Sequence, residues 1–244
     1  MKSVLSSGTN TILSLILWGL GILHLSVGLL FFIPLMEIFG APRVFRLGRL
    51  LCRSQLLIMG CPLIIEGLEN LPKEGSCLLI GNHESLFDIF AIIGALPSYV
   101  TALEAAPHFR FPVWGQVIRR WGIIPLPEGK IRTAMRSLDE ARGRLEEGAR
   151  LVVLPEGHRT RTGNLGPLKK GAFRLALDAS APIVPFVFDG LYEFQNVHSW
   201  RLHPRKLRVK FCPQLSPDSF RESTIEELRE RIRLILENAI MDTC

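Results

Sequence analysis

The chain has 244 residues and 27.4 kDa, enough for one α/β domain with an appendage and too little for two large domains. Hydrophobic residues make up 48% against 21% charged, with a mean hydropathy of +0.25, which excludes a disordered chain and points toward a membrane. Lysine and arginine outnumber the acids 29 to 23, giving a net charge of +6, so anionic partners are expected: lipid head groups, phosphorylated metabolites or nucleic acid.

The chain opens with 34 residues, between Lys2 and Glu37, that contain no Asp, Glu, Lys or Arg. As a straight helix this run would extend roughly 51 Å, against a bilayer hydrocarbon core of roughly 30 Å. It overshoots one span and undershoots two. With Gly19, Gly21, Gly28 and Pro34 as break points, one tilted span and a helical hairpin dipping into one leaflet are both expected arrangements. His24 is the run's only side chain suited to acid, base or phosphate-ligand work, so residues 1–40 are expected to anchor the protein and leave the chemistry to the rest. Residues 41–58 follow as a connector in which Arg43, Arg46, Arg49 and Arg53 recur at helical spacing between Phe45, Leu47, Leu50 and Leu51. Such a stretch suits an anionic membrane surface, and its position beside the uncharged run places the remaining domain, 59–244, on the cytoplasmic side.

From about residue 61 onward, short apolar runs alternate with helical patterns, which predicts an α/β fold, a mixed sheet flanked by helices. Strands are expected at 77–80, 99–103, 122–126, 151–154, 183–188 and 207–211, and helices at 85–96, 112–121, 131–147, 169–179 and 225–239. Ser223 with Glu226 reads as a capping box for the last helix, whose buried stripe is Leu228, Ile232, Ile235 and Ala239. The five cysteines, Cys52, Cys61, Cys77, Cys212 and Cys244, are scattered and include no C-x-x-C pair, so neither a disulfide framework nor a thiolate zinc site is expected. The sequence contains no G-x-S-x-G elbow, no P-loop, no G-x-G-x-x-G and no H-E-x-x-H.

The chemistry concentrates after the first expected strand, in Gly81-Asn82-His83-Glu84-Ser85-Leu86-Phe87-Asp88. His83 falls at the strand-to-helix turn, and Asp88, five residues on, can reach one ring nitrogen. That fixes the tautomer and leaves Nε2 as a base at the carboxyl edge of the sheet. With no companion serine or cysteine, the substrate itself is expected to supply the nucleophile, an acceptor hydroxyl. The segment Leu151-Val-Val-Leu-Pro155-Glu156-Gly157-His158-Arg159-Thr160-Arg161 ends a strand in a Pro-Glu-Gly turn and presents Arg159 and Arg161, with Lys169 and Lys170 to follow. These are phosphate-type ligands. A further strand, Ala181-Pro-Ile-Val-Pro, completes the set.

In order and spacing the three segments resemble the lysophosphatidic acid acyltransferase (PlsC-like) family of glycerolipid acyltransferases, whose N-H-x-x-x-x-D, P-E-G-T-R-S and A-P-[IV]-[VI]-P motifs match Asn82 to Asp88, Pro155 to Thr160 and Ala181 to Pro185. The resemblance covers roughly residues 60 to 215. It implies transfer of a fatty acyl group from an acyl thioester, acyl-CoA or acyl carrier protein, to the free hydroxyl of a lysolipid at a phospholipid membrane surface. Lysophosphatidic acid leads as acceptor, no cofactor or metal is needed, and nucleic acid is not a partner. His83 and Asp88 would be catalytic, and Glu156, Gly157 and Arg159 would form the acceptor-binding turn, with backbone N–H groups after Asn82 as candidate oxyanion donors. Two departures stand out. Where the family commonly carries cations, this chain has Ala102, Leu103 and, later, Glu128, and His158 replaces the usual Thr. Arg110, Arg119 or Lys130 could substitute for the lost charge; otherwise Arg159 is the main remaining cation and lysolipids other than lysophosphatidic acid are expected to be tolerated. A lipid hydrolase using the same pair to activate water, and a non-catalytic membrane-bound binding protein, are the competing readings.

Overall fold

The computed structural model describes residues 2–127, 129 and 131–242, so Glu128, Lys130 and Cys244 lie outside the described residues. The uncharged run forms one continuous helix, α1 (Lys2–Phe39), with Pro34 inside it and no break at the expected glycines. The reversal comes at Gly40, after which α2 (Ala41–Ile58) runs back antiparallel along α1. Gly28 permits their close approach, because a Cβ there would lie 2.3 Å from Leu51 Cδ1. The hairpin is therefore made of α1 and α2 together rather than within the apolar run. His24 ties them, its Nδ1 lying 2.7 Å from Gln55 Oε1 and its Nε2 3.0 Å from Ser54 Oγ.

Among the described residues seven strands follow: β1 (Leu63–Glu66), β2 (Cys77–Gly81), β3 (Thr101–Ala105), β4 (Ile124–Leu126), β5 (Arg150–Val153), β6 (Ile183–Asp189) and β7 (Leu207–Phe211). They form one sheet in the order β1-β7-β6-β2-β5-β3-β4, parallel throughout except for the antiparallel pair β6–β7. Helices α3 (Asp88–Ala95), α4 (Trp114–Trp121), α5 (Ile131–Glu146), α6 (Gly171–Ala179), the single turn α7 (Leu191–Phe194) and α8 (Ile225–Met241) cover it. The period-two alternation of strand side chains divides the core in two. Cys77 and Leu79 of β2 join Val184 and Phe186 of β6 beneath α2 and α3, whereas Leu78 and Ile80 face α5, α6 and α8.

The observed elements depart from expectation in a few places. Helix α3 begins at Asp88 rather than at 85, because Asp88 turns its carboxylate back onto the preceding loop. The capping box of α8 is Thr224 with Glu227, one residue later than expected. Both registers satisfy the spacing, but Thr224 is the residue whose extended backbone and side chain close the box. Leu236 replaces Ile235 in that helix's buried stripe. Most consequentially, α1 is not a detached anchor. Leu17, Phe32 and Met36 are buried in the same core as β2, and Ser14 and Trp18 hydrogen-bond to Leu202 and Trp200 beyond α7.

Candidate active site

Strand β2 is buried along its whole length, and at Gly81 it delivers the chain to the carboxyl edge of the sheet. The loop that follows is fixed by side chains rather than by regular structure. Asn82 accepts from Phe188 N (2.7 Å) and donates to Phe188 O (3.1 Å) on β6 and to Glu84 Oε1 (2.9 Å). Glu84 Oε2 in turn accepts from Tyr192 N (3.0 Å). Phe87, at the head of α3, is buried and packs on Phe194 at 4.8 Å and on Trp18 of α1 at 5.8 Å.

Within this frame His83 and Asp88 meet as their spacing predicts. The His83 ring, through Nδ1, lies 2.6 Å from Asp88 Oδ2, and the Asp88 side chain is 3% exposed against 25% for His83. Asp88 also accepts from Glu84 N (2.8 Å) and Ser85 N (2.9 Å). A buried carboxylate bound by three N–H donors cannot swing away, so it holds the ring with Nδ1 as the hydrogen-bearing nitrogen and leaves Nε2 on the open side. Ser85, the nearest hydroxyl in sequence, is itself buried and donates to Gln195 O at 2.7 Å. It does not serve as a nucleophile to His83.

Burial raises the pKa of Asp88, opposed by the hydrogen bond and charge of His83, and raises that of Glu84 well above the usual carboxylate range, reinforced by the neighbouring Asp88 charge. Glu156 is likewise raised by burial, against the pull of two backbone donors. Those donors are His83 N (2.8 Å, to Oε1) and Gly166 N (2.7 Å, to Oε2), so both oxygens of Glu156 are occupied within the protein. Together with Thr160 N donating to His83 O (2.8 Å), Glu156 locks the loop after β5 to the loop after β2.

The remaining expected residues fall around this joint. Gly157 takes a φ of 73°, and a Cβ there would come within 2.3 Å of Lys169 Nζ, so only glycine lets that ammonium lie over the turn. Arg159 is half-buried and its guanidinium has no hydrogen-bond or ion-pair partner among the described residues. Arg161 is exposed, and its carbonyl accepts from Tyr192 Oη and lies 2.8 Å from His198 Nε2. Lys170 turns to Glu226 of α8, away from the joint. Arg110 and Arg119 are exposed near the end of β3, Arg119 donating to Phe109 O. The backbone N–H groups expected as oxyanion donors are largely spent. Those of His83, Glu84 and Ser85 bind Glu156 and Asp88, and that of Phe87 binds Ser85 Oγ. Among the described residues no group of three or more His, Cys, Asp or Glu converges as a metal site.

Residues 62–189 match the family model described as Acyltransferase. A 1-acyl-sn-glycerol-3-phosphate acyltransferase of Cocos nucifera is 30% identical over 189 residues, 77% of this chain and 61% of that protein. A chloroplastic 1-acyl-sn-glycerol-3-phosphate acyltransferase of Brassica napus is 35% identical over 127 residues, 52% of this chain and 37% of that one. The chain thus spans about a third to two thirds of the length of these relatives. The crystal structure of the 1-acyl-sn-glycerophosphate acyltransferase PlsC of Thermotoga maritima superposes with a TM-score of 0.82 at 23% identity, covering 100% of this chain and 98% of that one, a likeness of fold.

Proposed function

The chain belongs to the Acyltransferase family, and we propose that it moves a fatty acyl group from an acyl thioester, acyl-CoA or acyl carrier protein, to the free hydroxyl of a lysophospholipid, with lysophosphatidic acid the first acceptor and phosphatidic acid its product. The observation that carries the reading is the His83–Asp88 pair: a base fixed by a buried carboxylate, with no serine or cysteine placed to attack in the substrate's stead among the described residues. His83 Nε2 takes the proton of the acceptor hydroxyl as its oxygen attacks the thioester carbonyl. Asp88 stabilises the resulting imidazolium. Collapse of the tetrahedral intermediate breaks the C–S bond, and the imidazolium returns the proton to the departing sulfur. General-base help of this kind contributes about 10²- to 10⁴-fold. Glu156 positions His83 by gripping its backbone N–H, while Gly157 and Arg159 meet the acceptor.

The outer face of α1 supports a membrane location. Residues 10–39 are long and apolar enough to cross a bilayer, and Ile12, Leu15, Leu23, Leu30 and Phe31 lie exposed on it. Because α1 is also docked along α2 and the core, we place it in one leaflet with the exposed Arg43 and Arg46 of α2 at the cytoplasmic head groups, Arg49 and Arg53 being turned inward to donate to Gly94 O of α3. The test is to supply detergent-purified protein with radiolabelled acyl donors and a panel of lysolipids. Acceptor-dependent ester formation supports the proposal, and acyl release without acceptor supports the hydrolase instead.

A further inference from the structure

The segment after β6 grips both loops of the site at once. Gly190, in the left-handed region at a φ of 85°, turns the chain into α7, whose Leu191 and Phe194 are buried while Tyr192 between them is half-buried. Tyr192 N donates to Glu84 Oε2 (3.0 Å), and three residues later Gln195 O accepts from Ser85 Oγ (2.7 Å). The segment is thus fastened twice to the catalytic loop, and Phe87 packing on Phe194 at 4.8 Å fills the space beneath it. At its other end Tyr192 reaches a different loop, since its Oη donates to Arg161 O (3.0 Å) beyond β5. His198 Nε2 lies 2.8 Å from the same oxygen. A carbonyl accepts and does not donate, so this ring nitrogen carries the hydrogen, and His198 is itself seated by its N–H on Asn196 Oδ1 (3.0 Å).

The loop so gripped is also anchored from inside, where Glu156 accepts from His83 N and Thr160 N donates to His83 O. Past Thr160 the chain leaves the core, and Arg161 and Thr162 are exposed. Residues 160–164 close upon themselves: Thr160 Oγ1 donates to Asn164 O (2.8 Å) and accepts from Thr162 N (3.3 Å) and Gly163 N (3.1 Å). These local bonds give the turn its shape and leave its direction free. The direction is set by α7, through the two donors on Arg161 O and through the Tyr192 ring lying against Gly163. A Cβ at Gly163, where φ is 84°, would stand 3.1 Å from Tyr192 Cδ1, so glycine lets the turn lie on the ring. Arg159 stands between the inner and outer anchorages, one residue before Thr160 and two before Arg161.

We infer that Tyr192, assisted by His198, is a positioning residue that sets the direction of the acceptor-binding residues 157–159 against the catalytic loop. The Tyr192 hydroxyl spends its hydrogen on Arg161 O, so it acts through the loop and not as an acid toward substrate. The inference rests on the acyltransferase reading above and adds to it the side chains that orient the acceptor loop without touching the acceptor.

The experiment measures kcat and KM for acyl-CoA and lysophosphatidic acid in the full chain, in Tyr192→Phe, in His198→Ala and in Tyr192→Phe/His198→Ala. Each single variant leaves one donor on the carbonyl and should raise the acceptor KM about two- to fivefold, and the double variant about tenfold, with donor KM and kcat within about twofold. His198→Gln keeps an N–H donor and should stay within about twofold of wild type. Amide exchange at Thr162 and Gly163 should quicken in the double variant while that of β5 stays slow. Unchanged exchange there, or an unchanged acceptor KM, overturns the inference and leaves the acyltransferase reading standing. A fall in Tm and kcat with the acceptor KM untouched, the mark of a purely structural contact, overturns it as well, and so do equal rises in both KM values. If no acyl group is transferred at all, the acyltransferase reading fails, and binding of lysophosphatidic acid without turnover decides. About tenfold weaker binding by the double variant upholds the positioning role, and equal affinity refutes it.

Discussion

Glutamine at position 156 offers the sharpest test of how the site is held. In the wild type Oε1 accepts from His83 N and Oε2 from Gly166 N, and the residue is buried. Glu156→Gln turns one acceptor into a donor that faces another N–H and leaves the second as a neutral carbonyl. A hydrogen bond to a charged group contributes about 1.5–3 kcal/mol and a neutral one about 1 kcal/mol. Part of the loss is offset, because burial already disfavours the carboxylate and an amide is easier to bury. The net cost is about 1–3 kcal/mol, or about 2–12 °C in Tm for a chain of this size. The released joint carries His83 with it, and a misplacement of about 1 Å can reduce turnover about 100-fold. Thermal unfolding in detergent together with steady-state kinetics should show lower Tm, kcat down about 10- to 100-fold, and acceptor KM within about twofold. A strongly raised acceptor KM with unchanged Tm and kcat would refute the reasoning and make Glu156 a substrate ligand.

Other expectations follow from the same geometry. Arg159→Ala should raise the acceptor KM well above any change in donor KM, because its guanidinium has no internal partner to lose among the described residues; equal effects on both would contradict the assignment. Trp18→Ala should lower both Tm and kcat, since it removes the hydrogen bond to Trp200 O and the ring packed on Phe87 beside Asp88, and activity measured in detergent would be unaffected only if α1 were a passive anchor. Glu84, its folded pKa raised above the unfolded value, holds its proton more tightly when folded, so its contribution to stability is greatest at low pH and is lost as pH rises through the folded value. Glu84→Gln lacks that titration, and its Tm relative to wild type should climb from about pH 5 to about pH 8; a constant difference would show that Glu84 does not titrate differently on folding.

How much was legible in the sequence depended on how local each feature is. Strands β2, β5 and β6 are largely apolar runs because their side chains are buried, β7 alternates buried Leu207, Val209 and Phe211 with half-exposed Arg208 and Lys210, and all four lie within a residue or two of expectation. The His83–Asp88 pair was legible for the same reason, since one turn of chain brings the two together. Strand β1 was missed: its short, mostly half-exposed run becomes a strand only by pairing with β7, far away in the sequence. The Asn82–Glu84–Tyr192 tie and the grip of Glu156 on His83 N were also out of reach, because each joins loops that only the sheet order makes neighbours. The uncharged run of α1 advertised a membrane so strongly that its inward face, with Leu17, Phe32 and Met36, left no separate signal.

The central claim is tested most directly by following a radiolabelled acyl group from acyl-CoA in the presence and absence of lysophosphatidic acid, with wild type and His83→Ala side by side. The account predicts label in phosphatidic acid only when the acceptor is present, and a fall of about 10²- to 10⁴-fold in His83→Ala with its Tm preserved. Label appearing as free fatty acid regardless of acceptor, or transfer undiminished in His83→Ala, would contradict it.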